Sequence, residues 1–153
     1  MKKAIAIIIL GLLWCEVSFA LSQQSAINQY LSGRKLDLIE GVWADTQGNI
    51  NLYAKSGNGY QVIRIRHNFD ASGSYGGSLN KGSENYYYGN SYLYYPRRVN
   101  CRLTITVSIT SGQFNCDDGS YNIGLSLTRL WPSDIRAHNA KFEKKKRTSK
   151  GKR

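Results

Sequence analysis

The stretch Cys101-Arg-Leu-Thr-Ile-Thr-Val-Ser-Ile109 alternates apolar and polar side chains along its whole length. A period of two predicts a β-strand with one buried and one solvated face, because successive side chains of a strand point to opposite sides. A second stretch of this kind, residues 121–131, places on one face Tyr121, Ile123, Leu125, Leu127, Arg129 and Trp131. Both stretches favour an antiparallel sheet with one side packed on a core.

Further strands are predicted on either side of a central loop. Three upstream strands are expected at residues 38–44, 50–55 and 60–67, joined by Gly- and Asn-containing segments typical of hairpin turns at 46–49 and 56–59. A Gly- and Ser-rich loop covers residues 70–83, and short strands are expected near Tyr75 and Phe114. In residues 85–95, Gly89 and Asn90 lie between two tyrosine-rich arms and predict another hairpin.

The order of these strands predicts the fold class. Successive hairpins without a long crossover give an up-and-down meander, and a meander that closes on itself has no exposed edges. We therefore expect an all-β protein with a single antiparallel barrel of about eight strands, while a β-sandwich or a half-open sheet stays open as an alternative. A short helical turn at residues 25–31, ended by Gly33, is expected to cover one mouth of the barrel.

The first twenty residues are typical of a secretory signal peptide. Lys2 and Lys3 precede an apolar run, and the small residues Ser18 and Ala20 occupy the two positions that signal peptidase inspects. The sequence thus predicts export to a periplasmic or extracellular location, peripheral to the cell envelope. In that oxidising compartment the two remaining cysteines, Cys101 and Cys116, are expected to form a disulfide.

Charge divides the rest of the chain into two parts. The whole chain has a formal net charge of +11, and residues 132–153 hold nine basic side chains against Asp134 and Glu143. We therefore expect a β-barrel domain at 21–131 and a basic tail at 132–153, partly helical or disordered. Ser133 is the predicted cap of a helix with Ile135, His138 and Phe142 on one side. The side chains predicted to meet an anionic surface are Lys144, Lys145, Lys146 and Arg147.

Gly41 and Trp43 form a Gly-x-Trp motif at the start of the first strand, and Arg129 lies in the last strand. These three residues resemble the signature of the lipocalin and wider calycin family. In that family, the indole lies at the closed end of the barrel and the arginine packs across it. The resemblance implies a lipocalin-like barrel in which this trio is structural, and an inward cation–π pair also explains the charge on an apolar face.

A tyrosine-rich segment with a basic border is the candidate binding surface. Tyrosine offers a rigid amphipathic contact area, and arginine is suited to anionic headgroups or glycans. Tyrosine is also a good strand former, so the same residues are compatible with a purely structural role. The candidate binding residues are Tyr86, Tyr88, Tyr92, Tyr94, Arg97, Arg98 and Arg102.

Catalytic and cofactor motifs are not found in the sequence. His67 and His138 do not have a metal-ligand spacing, and the run from Asp117 to Gly119 is typical of a turn. Because no nucleophile elbow, phosphate loop or acid–base pair is recognised, we expect no enzymatic activity, no cofactor and no metal site.

Two functional hypotheses follow. In the first, an exported barrel carries or senses an apolar or amphipathic small molecule in its interior. In the second, the barrel is a filled scaffold, and the tyrosine-rich segment and basic tail bind an anionic membrane or a glycan. Export argues against nucleic acid as the polyanion, and the oligomeric state is not predicted.

Overall fold

The computed structural model describes residues 21–94, 97–117, 119 and 122–150. The predicted signal peptide at 1–20 lies outside these residues, as do Tyr121 and Asp118.

Eight antiparallel strands form a closed barrel within the described residues, which confirms the predicted fold class. Each strand pairs with its neighbours in chain order, and the last strand pairs with the first. The strands are β1 Gly41–Asp45, β2 Ile50–Ser56, β3 Gly59–Arg66, β4 Tyr75–Lys81, β5 Tyr86–Tyr94, β6 Arg97–Ile105, β7 Ser111–Asp117 and β8 Asn122–Trp131. Two helices of the described residues flank the barrel, α1 Gln23–Tyr30 and α2 Ile135–Lys150.

The lumen is filled by the inward side chains that the alternating patterns predict. In β6 and β8 the residues Cys101, Leu103, Leu125 and Leu127 are all buried in one apolar cluster. Aromatic side chains occupy much of the remaining space, namely Trp43, Tyr53, Tyr60, Tyr87 and Phe114. The lumen is thus the main core of the molecule.

Cys101 and Cys116 form a disulfide inside the barrel, as predicted. They are directly opposite each other on β6 and β7, with a Cα–Cα distance of 4.1 Å. The bond closes a loop with a sequence separation of 15, which is worth about 3 kcal/mol in the chain-entropy model.

A second apolar cluster lies on the outside of β1, β2 and β3. There Ala26, Ile27 and Leu31 of the helical region pack against outward side chains that include Val42, Leu52, Ala54, Ile63 and Ile65. The prediction that this helical turn covers a mouth of the barrel is therefore wrong. The helix binds the outer wall because that wall is apolar, and residues 34–40 instead lie across the end of the barrel.

The structure corrects the end of one strand that the sequence located and the face of one residue in another. β6 ends at Ile105 rather than at Ile109, because the chain turns at Thr106, whose backbone N–H donates to Ser111 O at 2.9 Å. Val107, predicted to be inward, is consequently 90% exposed. Where β8 pairs with β1, a bulge adds one residue between Arg129 and Trp131. The Trp131 side chain therefore turns outward and packs against the outer cluster.

The helix α2 begins with a cap that differs from the predicted one. The Asp134 carboxylate, not Ser133, accepts the backbone N–H groups of Arg136 and Ala137 at 2.9 and 3.0 Å. Ile135 is buried in the outer cluster, and the ring of His138 lies 5.2 Å from that of Trp131. The helix then continues through the lysine run to Lys150.

Candidate functional site

The closed end of the barrel is built around Trp43 and Arg129, as the family resemblance implies. The Arg129 guanidinium lies 4.1 Å from the centroid of the Trp43 ring, and the indole Nε1 donates to Ile39 O at 2.9 Å. Arg129 donates through Nε to Ile109 O at 2.8 Å, through Nη1 to Glu40 O at 2.8 Å, and through Nη2 to Leu38 O. Burial lowers the pKa of Arg129 to about 10.

Gly41 is needed for the close approach of β1 to the end of β8. Its φ is +143°, and a Cβ at this position would clash with Trp131 O and lie 2.8 Å from Arg129 Nη1. Gly41, Trp43 and Arg129 therefore form one structural unit that joins the first and last strands and closes the barrel.

Glu40 is a fully buried acid at this end that no sequence pattern indicates. Its carboxylate pairs with the Arg34 guanidinium and accepts backbone N–H groups of Asp37 at 2.9 Å and Lys55 at 2.7 Å. Close by, Asp37 accepts the Tyr60 hydroxyl at 2.9 Å. Burial alone would raise the pKa of Asp37, but the hydrogen bonds from Tyr60 and Lys55 keep it below its usual value.

The opposite end of the lumen contains a cavity of about 50 Å³. Small-molecule sites usually have volumes of about 300–1,000 Å³, so this cavity holds at most a few waters. Its lining is polar near the mouth, with Asp45, Asn51 and Arg64, and apolar below, with Phe114 and Leu125.

Arg64, His67 and Asp70 meet at this mouth. Arg64 is 3% exposed and pairs with the Asp70 carboxylate, which also lies 3.1 Å from His67 Nδ1. Burial lowers the pKa of Arg64. Burial and the charge of Arg64 also lower the pKa of His67, and the charge of Asp45 only partly offsets this effect. The Asp70 carboxylate thus neutralises the buried positive charge of Arg64 at the rim of the barrel.

The tyrosine-rich segment is not a hairpin, so that prediction is wrong. β5 passes straight through Gly89 and Asn90, and its partners are β4 and β6. A Cβ on Gly89 would clash with Ser78 O and lie 2.9 Å from the Leu79 Cα. The glycine therefore marks a close approach between strands and not a turn.

The structure divides the predicted tyrosines between different environments. Tyr86 and Tyr88 lie on the outer face, with ring centroids 6.3 Å apart and an interplanar angle of 25°. Tyr87 is buried in the lumen, and Tyr92 lines the mouth cavity, 6.0 Å from the Tyr75 ring. Tyr94 pairs with Arg97 through the backbone, and their side chains lie outside the described part.

The two other predicted arginines with described side chains pair with tyrosines of β5. Arg102 pairs with Tyr88, and Arg98 with Tyr92, and both arginines are exposed. The sequence thus identified Tyr86, Tyr88 and Arg102 as neighbours. It missed the polar side chains from β4 and β7 beside them, because only the strand register places those residues on the same face.

Helix α2 presents the predicted basic residues. The side chains of Lys144, Lys145, Lys146 and Arg147 are exposed, and none lies within ion-pair distance of a described carboxylate. The helix is attached near its start: the Asn139 side chain donates to Leu36 O at 2.8 Å and accepts from Leu36 N at 2.9 Å. Glu143 pairs with Lys35 at 3.1 Å, which holds the pKa of Glu143 below its usual value.

Comparisons with protein-family models, with curated proteins and with solved structures found no match. Neither of the two described helices has the length and hydropathy that a membrane-spanning helix requires. Within the residues that the structure describes, no cluster of three His, Cys, Asp or Glu side chains is arranged to hold a metal ion.

Proposed function

We propose that this chain is an exported, calycin-like barrel protein that binds anionic membrane surfaces through α2. The observation that carries the proposal is the run of exposed basic side chains in α2, which is fixed to the barrel at one end and has no nearby described counter-charge beyond Glu143. A positive charge near an anionic bilayer contributes about 1 kcal/mol, so four such residues support reversible, salt-sensitive binding.

Export is part of this proposal. The signal-like residues 1–20 are outside the described part, but the buried disulfide between Cys101 and Cys116 supports folding in an oxidising compartment. The calycin assignment is supported by the closed eight-stranded barrel and by the packing of Arg129 on Trp43.

The small lumen favours binding at the surface over carriage of a ligand. An interior filled by aromatic side chains and a disulfide has a cavity of about 50 Å³, below the size of a typical ligand site. A filled barrel acts as a rigid support for surface groups, and we propose no catalytic activity for it.

The proposal is tested by sedimentation with vesicles of phosphatidylglycerol and phosphatidylcholine. Changing Lys144, Lys145, Lys146 and Arg147 to Gln is expected to lower partitioning about 100- to 1,000-fold, because about 1 kcal/mol is lost per charge. Raising the salt concentration is expected to release the unmodified protein.

A second variant with equal net charge separates a local effect from a global one. It carries Gln at four exposed basic positions of the barrel, namely Lys55, Arg66, Lys81 and Arg98. This control is expected to retain most of the binding. Equal losses in the two variants, or salt-independent binding, would contradict the proposal that α2 is the membrane contact.

A further inference from the structure

The outer surface of the barrel has two unlike halves. Over β1–β3 it is apolar and covered by α1. Over β4–β7 it faces solvent and carries polar and aromatic side chains, with Tyr88 at 47% exposure. The second half therefore presents a flat array of side chains that the strands hold in register.

The register arranges these side chains in rows across the strands. One row consists of consecutive paired positions on β4, β5, β6 and β7: Asn80, Tyr88, Arg102 and Asn115. The next row consists of Ser78, Asn90, Asn100 and Asp117. Since neighbouring strands are about 4.8 Å apart, each row extends over about 15 Å. Amide side chains thus lie on both sides of an aromatic and a guanidinium group.

The two tyrosine rings lie side by side on the outer face. Tyr86 and Tyr88 are nearly parallel, and a Cβ added to Gly82 would lie 2.6 Å from an atom of the Tyr86 ring and 3.3 Å from one of the Tyr88 ring. Gly82 therefore lies next to both rings, and a side chain at this position would collide with Tyr86. Two open clefts, of about 450 and 370 Å³, flank these rings and share Tyr86 and Arg102 in their linings.

We infer that this outer face of β4–β7 binds an acidic polysaccharide. The exposed Tyr88 ring offers an apolar surface on which a sugar ring stacks through its C–H groups. Asn80 and Asn115 each carry both a donor and an acceptor, which matches neighbouring sugar hydroxyls. The Arg102 guanidinium, which has no ion pair with a described residue, matches a sugar carboxylate in a bidentate arrangement.

The same observations argue against other partners for this face. It has no apolar centre of the kind that protein interfaces bury, which argues against a protein partner. Its arginines are few and Asp117 lies among them, so the positive charges are too sparse to follow the phosphate backbone of a nucleic acid. The site shares no residue with α2, so it does not depend on the proposed membrane contact.

Calorimetry with polygalacturonate and with its neutral methyl ester tests this inference. The protein carries the four Gln substitutions in α2 described above, so that the tail adds little electrostatic binding. We expect this protein to bind polygalacturonate at least tenfold more tightly than the ester. Tyr88→Ala should weaken binding of both polymers at least tenfold, whereas Arg102→Ser should weaken only polygalacturonate binding, to about the level of the ester.

Tyr75→Ala serves as the matched control, because Tyr75 is also exposed but lies near the mouth of the barrel. It should leave binding unchanged, and urea unfolding should show that each variant is folded. The inference is overturned if polygalacturonate does not bind, or if Tyr88→Ala binds as well as its parent. Equal binding of the ester, or no effect of Arg102→Ser, would overturn the acidic class of the ligand.

Discussion

Arg129 keeps a full positive charge inside the barrel wall because protein groups replace its water. The carbonyl oxygens of Leu38, Glu40 and Ile109 accept its N–H groups, and the Trp43 ring covers its face. These acceptors belong to two separate segments of the chain. A single side chain therefore ties the last strand to the segment before β1 and to the β6–β7 turn.

Replacing Arg129 by Met is expected to destabilise the protein by at least about 3 kcal/mol. The methionine fills part of the space but leaves buried carbonyl groups without donors, at about 1–3 kcal/mol for each group. Urea unfolding provides the measurement, and Arg98→Met on the exposed outer face should change the free energy by less than about 0.5 kcal/mol. An Arg129→Met protein within 1 kcal/mol of its parent would show that water or a rearranged partner replaces these bonds.

Sequence patterns predict the buried charged residues at the two ends of the barrel only where a short motif or an odd charge stands out. Arg129 interrupts an otherwise apolar face, and Gly41 and Trp43 form a recognisable pair. Glu40 and Arg64 have no such signal, because their partners, Arg34 and Asp70, lie in irregular segments whose path depends on the whole fold. Buried ion pairs of this kind are visible only in three dimensions.

In strand β5, Gly89 has a different structural role from that of a glycine in a turn. In a turn, glycine provides a positive φ, whereas within a strand it lets a neighbouring backbone approach. Gly89 is of the second kind: it pairs with both Leu79 and Cys101 in the middle of the sheet. The β4–β5 spacing therefore depends on the absence of a side chain there.

The variant Gly89→Ala is expected to lose at least about 2 kcal/mol of unfolding free energy, because the added Cβ would clash with the backbone of β4. Gly124→Ala is the matched control in β8, since its added Cβ meets only the side-chain oxygen of Asn115, at 3.2 Å. That side chain can move, so the control should cost less than about 1 kcal/mol. Thermal or urea unfolding of the two variants measures this difference, and equal costs would refute the close-approach interpretation.

The position of α1 is indicated by a pattern in β2 and β3 that differs from the strict alternation of β6 and β8. β6 and β8 alternate apolar and polar residues, but in β2 and β3 adjacent residues are apolar, at Leu52-Tyr53-Ala54 and Val62-Ile63. Because neighbours in a strand point to opposite sides, these residues place apolar side chains on the outer face as well as in the lumen, and that outer face is what α1 covers. Periodicity in the helix itself shows that it has an apolar side, but it does not identify the surface on which that side packs.

For the molecule as a whole, buried titratable groups limit the pH range of stability at both ends. The pKa of His67 is lowered by burial and by Arg64, and that of Asp37 is also below its usual value, so the unfolded chain binds these protons more readily. Burial raises the pKa of Tyr87 to about 12 and also raises that of Tyr60, so the unfolded chain loses these protons more readily. Stability must therefore fall toward acid. It must also fall toward alkali, because the two tyrosines outweigh Arg129, whose lowered pKa acts in the opposite direction.

The urea midpoint is accordingly expected to be nearly constant between about pH 7 and 9, to fall as the pH drops below about 6.5, and to fall again above about pH 10. A difference of one bound proton between the folded and unfolded states changes the free energy of unfolding by at most about 1.4 kcal/mol per pH unit. His67→Gln should flatten the acidic limb between about pH 6.5 and 5 but keep the alkaline limb, whereas Tyr87→Phe should flatten only the limb between about pH 10 and 12. Each variant is thus the control for the other. If His67→Gln kept the full slope below pH 6.5, the charge balance of Arg64, His67 and Asp70 would not set the acid limit, and carboxylates such as Asp37 would have to account for it.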